Sequence, residues 1–152
     1  KQKVIIQAPD SEKVEAGYIF DRAYWSHDPD DNFFADQETL MGELGNDILE
    51  NAMIGYNNCL FAYGQTGAGK THSMLGGDGD QRGMLPRVLE GLFQRIDESK
   101  IVDANVHFQC KVSYLEVYNE VIRDLMVPVG SSQQKQKLEV YHHPKLGVFV
   151  PG

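Results

Sequence analysis

The sequence predicts an α/β layered domain, and three observations carry that reading. Cys59, Leu60, Phe61, Ala62 and Tyr63 form an apolar run too short for a helix, which reads as a strand buried on both faces. A glycine-rich turn follows from Gly64 to Gly69, and a helical pattern from Thr71 to Leu75 follows the turn. Further on, Val106, Phe108, Cys110, Val112 and Tyr114 alternate with polar residues, the signature of a long strand, so the order is strand, helix, strand.

The remaining elements fit that order. Val4–Ile6 and Tyr18–Phe20 are short β-favouring runs that predict two strands. Asp36 caps a helix whose apolar positions Leu40, Leu44, Ile48 and Ala52 step by four, with Met41 and Leu49 widening the stripe and Gly55 as a stop. After a break from Gly76 to Gly83 the helical pattern resumes through Leu85, Val88, Leu89, Leu92, Phe93 and Ile96, with Pro86 suited to its first turn. Gly130 to Lys137 reads as a polar surface loop, and Leu138–Tyr141 and Val148–Val150 are weaker strand signals.

At 152 residues, 41% apolar and 24% charged, the chain has the size and composition of one soluble domain. No apolar run is long enough to span a membrane, and the Lys-Gln-Lys start opens no signal or transit peptide. Cys59 and Cys110 lie in apolar stretches and read as small buried hydrophobes, which predicts a reducing, intracellular setting. The net charge is -8, and eight acids fall between Arg22 and Lys70 with no base among them. That stretch reads as a solvated acidic helix face and loop. The balance argues against nucleic acid as the main partner, because phosphate binding along a strand needs a basic stripe.

Gly64-Gln65-Thr66-Gly67-Ala68-Gly69-Lys70-Thr71 matches G-x-x-x-x-G-K-[ST]. A strand entering the loop and a helix leaving it are the context this motif requires. Glycines let the backbone curl so that several N–H groups face one anion, and the helix N-terminus adds its dipole. Lys70 then reaches the β- and γ-phosphates, and the Thr71 hydroxyl is a ligand for Mg²⁺, which makes these two the candidate catalytic residues. The alternative is a glycine-rich turn with an ordinary surface lysine. No apolar strand ends in an acid suited to the metal shell, and no Asn-Lys-x-Asp motif for guanine is present, so adenine is the expected base.

The segment 61–74, Phe-Ala-Tyr-Gly-Gln-Thr-Gly-Ala-Gly-Lys-Thr-His-Ser-Met, resembles the phosphate loop of kinesin motor domains far beyond the generic pattern. Ser113-Tyr114-Leu115-Glu116-Val117-Tyr118-Asn119-Glu120 resembles a following strand of that family. Tyr18–Asp21, Gly55–Asn57, Gly83–Arg87 and Arg123–Leu125 are lesser matches in family order. Tyr24-Trp25-Ser26-His27 and His143–Gly147 look most like the third, vesicle-transporting class.

This resemblance implies a P-loop NTPase three-layer sandwich with a mixed central sheet. It implies ATP or ADP bound with Mg²⁺ and hydrolysis coupled to movement along microtubules, in the cytoplasm and on the cytoskeleton. By position, Gly64, Gln65, Thr66, Gly67, Ala68, Gly69, Lys70 and Thr71 would hold phosphates, and His72 would lie beside the adenine. Lys145 and Lys137 would touch tubulin, and cargo or adaptors would bind through other regions. The Arg-x-Arg-Pro adenine contact, the switch motifs Asn-x-x-Ser-Ser-Arg and Asp-Leu-Ala-Gly-Ser-Glu, the main tubulin-binding helix and the neck are not in these residues. The chain therefore reads, over 1–152, as the N-terminal portion of such a domain, able to bind nucleotide but not to hydrolyse it efficiently. A non-motor nucleotide- or tubulin-binding module is the competing reading.

Overall fold

The computed structural model describes residues 1–9, 14–128, 130, 138–145 and 147–151. The chain forms two compact units, Lys1–Val106 and His107–Gly152.

In the first unit, β1 (Gln2–Gln7) and β2 (Val14–Phe20) pair antiparallel, with Val4 opposite Tyr18 and a bulge between Ile6 and Gln7. These are the two expected strands. The chain leaving β2 is pinned to the following helix by Glu43, which accepts from Arg22 and, at 2.8 Å, from the Tyr24 hydroxyl. Those bonds, Tyr24's first, hold the Glu43 carboxyl below its usual value.

Asp36 is the helix cap, as read from the sequence: its Oδ1 accepts from the Thr39 N–H and hydroxyl, both at 2.7 Å. The helix it starts is interrupted. α1 (Gln37–Leu40) passes into a π-helical turn (Met41–Gly45) before α2 (Asn46–Met53), and the Asn46 N–H donates to the Met41 carbonyl five residues back. Gly45 leaves room for the Met41 side chain, since a Cβ there would lie 2.2 Å from its sulfur. One extra residue per turn rotates everything after it. The expected stripe is corrected at one place: Leu40, Met41, Leu44 and Ile48 are half-buried and Leu49 is buried, as read, but Ala52 is exposed. Gly55, at φ +92°, stops the helix as expected.

α4 (Met84–Val102) carries Pro86 in its first turn and packs on this helix. Gly91 lets it approach, since a Cβ there would stand 2.6 Å from Leu49 Cδ1. Leu49, Met84, Ile96 and Ala35 make up the small apolar core of the described residues. Between Gly76 and Gly83 the chain closes on itself: the Gly77 N–H donates to Gln81 O at 2.8 Å and the Gly83 N–H to Leu75 O at 2.9 Å. Arg87 of α4 clamps this loop through Arg82 O (2.8 Å) and Asp80 O (2.7 Å).

In the second unit, β3 (Leu115–Tyr118) and β4 (Val121–Asp124) form a hairpin. Its two-residue turn has Asn119 at φ 49° and Glu120 at φ 63°, the left-handed pair that matches strand twist. Glu116 faces Arg123 across the ladder at 3.3 Å. β5 (Tyr141–His143) and β6 (Gly147–Phe149) form a second hairpin, with Tyr141 stacked on Phe149.

Three expectations about strands are corrected. Cys59–Tyr63 is not a buried, paired strand: it runs without a ladder, and Phe61 and Tyr63 are 79% and 95% exposed. Val106–Tyr114 likewise has no ladder, and Cys59 and Cys110 are exposed free thiols rather than buried hydrophobes. The cause is shared. A central strand is buried only when strands flank it and helices cover both faces, and among the described residues neither segment has a strand beside it. In place of one mixed sheet, the described residues form three separate two-stranded antiparallel sheets.

Candidate functional site

The phosphate loop is built at the entry to α3 (Lys70–Met74). Gly64 must lack a side chain, because a Cβ there would meet the Ala68 Cβ at 2.9 Å. Gly67 and Gly69 take φ values of +83° and +86°, and nothing lies within 4 Å of where their Cβ atoms would be. Only glycine adopts that backbone without strain, and the open space beside it admits a ligand close to the main chain. The Ala68 N–H turns inward to Gln65 O at 3.2 Å. Among the described residues, the amides of Thr66, Gly67, Gly69, Lys70 and Thr71 have no main-chain acceptor, which leaves a curl of donors at the mouth of α3.

Lys70 is half-buried, and its ammonium donates to Gly64 O at 2.7 Å and Gln65 O at 2.8 Å. The positive charge is thus held over the loop that the sequence motif assigned to it. Thr71 follows on the exposed side of the same turn. His72 is exposed too, and it lines a groove of about 700 Å³ with Tyr24, His27, Gln37, Ser73 and Gln81.

Gln37 went unremarked in the sequence. It is buried, its Nε2 donates to His72 O at 2.8 Å, and it joins α1 to the first turn of α3 across 35 residues of chain. A polar residue just after a cap is the only signal it gave. Lys145 sits exposed in the β5–β6 turn, its N–H donating to His143 Nδ1 at 3.2 Å. Lys137 lies outside the described residues. No group of three or more metal-ligating His, Cys, Asp or Glu occurs among the described residues, and no helix there is long and apolar enough to cross a membrane.

A family model described as the kinesin motor domain matches residues 1–152. The chain belongs to the kinesin motor domain family. Among its kinesin relatives, the rat kinesin-like protein KIF1A is 39% identical over 148 residues, covering 96% of this chain and 8% of that protein. The human kinesin-like protein KIF13B is 43% identical over 136 residues, covering 89% of this chain and 7% of that protein. These relatives bear out the resemblance to the vesicle-transporting class of kinesins. A KIF14 motor, solved as a two-heads-bound dimer with AMP-PNP in complex with a microtubule, superposes with a TM-score of 0.81 at 37% identity, over 99% of this chain and 40% of that one. The kinesin fold, a P-loop NTPase α/β fold, is therefore the fold class of this chain, of which it spans the stated 40% of the KIF14 motor.

Proposed function

We propose that this chain is the ATP-binding part of a microtubule-based motor. The observation that carries the reading is the loop at Gly64–Thr71, with its left-handed glycines, its unpaired amides and the Lys70 ammonium held above it. The loop from Gln65 to Thr71 binds the phosphates of ATP or ADP through the amides that the inward-turned Ala68 N–H leaves free, Lys70 neutralises the β- and γ-oxygens, and His72 flanks the adenine at the edge of the groove. Support also comes from the AMP-PNP and ADP named for the KIF14 motor structures.

Mg²⁺ fits the donor set. The Thr71 hydroxyl is an exposed hard oxygen with no protein partner among the described residues, and without a carboxylate cluster such an ion is held by Thr71, phosphate oxygens and water. When bound, Mg²⁺ offsets charge on the phosphate oxygens. The protein's own part is to orient the phosphate chain by Lys70 and the amides.

In the complete motor the reaction is microtubule-stimulated ATP hydrolysis. Hydrolysis needs a positioned water, and force needs a segment that orders with the γ-phosphate. The 152 residues contain neither Asn-x-x-Ser-Ser-Arg nor Asp-Leu-Ala-Gly-Ser-Glu, so this chain alone binds nucleotide with negligible turnover. Its setting is the cytoplasmic microtubule cytoskeleton, with Lys145 and Lys137 as contacts to acidic tubulin and cargo held by other regions.

Two assays test this. Steady-state phosphate release should stay near background, and release at an intact motor's rate that disappears in Lys70→Ala contradicts the division of labour. Tubulin pelleting that responds to nucleotide favours a piece of a motor, whereas pelleting indifferent to nucleotide favours a non-motor tubulin-binding module.

A further inference from the structure

Gln37 is 5% exposed, and its Oε1 is a buried side-chain atom without a hydrogen-bond partner among the described residues. An orphaned buried acceptor costs stability. A methionine of similar shape would carry no such cost. What the amide supplies in return is its other end: Nε2 donates to His72 O at 2.8 Å. That carbonyl belongs to the first turn of α3, two residues after Lys70 and one after Thr71. Gln37 is itself fixed, because it follows the cap at Asp36, whose carboxylate is tied twice to Thr39. A rigid bracket thus runs from Asp36 through Gln37 to the helix that carries the phosphate-binding side chains.

We propose that Gln37 is a positioning residue for the phosphate loop, holding the first turn of α3 so that Lys70, Thr71 and the loop amides converge on one phosphate chain. The inference rests on the nucleotide reading above and assigns Gln37 no contact with the ligand. Its signature is a loss of affinity out of proportion to any loss of stability. Replacing the amide releases α3 and weakens binding, while on the fold the removed orphan acceptor is offset by a His72 carbonyl left without its donor.

The test compares wild type with Gln37→Met, measuring dissociation constants for ATP and for inorganic tripolyphosphate by calorimetry and the melting temperature of each free protein. One lost hydrogen bond corresponds to roughly a three- to tenfold weakening. The expected result is that loss for both ligands, with a melting temperature close to that of wild type. Unchanged affinity overturns the proposal. So does a loss confined to ATP, which would put Gln37 at the base, and so does a fall in affinity accompanied by a large fall in melting temperature, the mark of a merely structural role. If Gln37→Met does not fold, Gln37→Glu carries the test through pH: protonated, its carboxyl donates to His72 O as the amide does, and ionised it cannot, so affinity relative to wild type should fall for both ligands as pH rises, and a ratio independent of pH overturns the proposal. Wild type binding neither ligand would overturn the nucleotide reading and this inference with it, whereas binding that is indifferent to the substitutions overturns this inference alone.

Discussion

The Lys70 ammonium and the Gly64 carbonyl are joined by a 2.7 Å hydrogen bond that spans the whole phosphate loop. With the companion bond to Gln65 O, it places a compact cation above the curl of amides before any anion arrives. An ammonium can serve two carbonyls and a phosphate at once through its three donors, whereas a guanidinium is planar and larger. Lys70→Arg therefore keeps the charge but not the site, and ATP affinity should fall by roughly tenfold or more, the range of a lost charge-assisted bond. Calorimetric titration checks this.

Thr71 carries the second prediction. ATP affinity of the wild type should rise when Mg²⁺ is added and fall when it is chelated, because in the proposed site the hydroxyl would contribute an oxygen to the ion's shell. In Thr71→Val the shape of the side chain is kept and that dependence should largely vanish. An unaltered Mg²⁺ response in the valine variant would move the ion elsewhere.

The loop between Gly76 and Gly83 separates two kinds of glycine. Gly79 has φ +59° with open space around its Cβ position, so Gly79→Ala meets only left-handed strain of about 1–2 kcal/mol. Gly76 has φ +71°, and a Cβ there would lie 2.1 Å from Gln81 O and 2.3 Å from the Gly83 nitrogen. Gly76→Ala must therefore open the loop and lower the melting temperature well beyond Gly79→Ala. Parallel thermal melts compare them.

Asp36 links the fold to pH. The Thr39 N–H, and then its hydroxyl, hold the Asp36 carboxyl below its ordinary value, with the Arg87 charge adding a smaller pull. A carboxyl whose pKa is depressed on folding stabilises the fold above its unfolded pKa, and the contribution is lost as pH falls through the folded value. Asp36→Ala should cost about 0.5–2 kcal/mol at neutral pH, the range for losing a cap. The gap from wild type should close in strongly acidic solution, as denaturant melts at several pH values would show.

Local chemistry was legible in the sequence where short-range rules decide it. Asp36 as a cap, Gly55 as a stop, Pro86 in a first turn and the glycine-rich turn leading into a helix at Lys70 all depend on a few neighbouring residues, and each stands where expected. The helix stripe departs from its pattern only at Ala52, beyond a π-turn at Met41–Gly45 that breaks the 3.6-residue period a pattern count assumes. Cys59–Tyr63 has the composition of a buried strand, but burial belongs to its neighbours, and among the described residues none pairs with it. Gln37 was invisible for a related reason: its value lies in a bond to His72, far away in the chain.

Titrating MgATP into the 152-residue chain and into Lys70→Ala, with heat as the readout, addresses the main claim most directly. Saturable one-to-one binding by the wild type, weakened at least roughly tenfold by the substitution, is the result that Lys70 and the loop amides require. Absence of binding at millimolar nucleotide, or equal affinity for the two proteins, would contradict it.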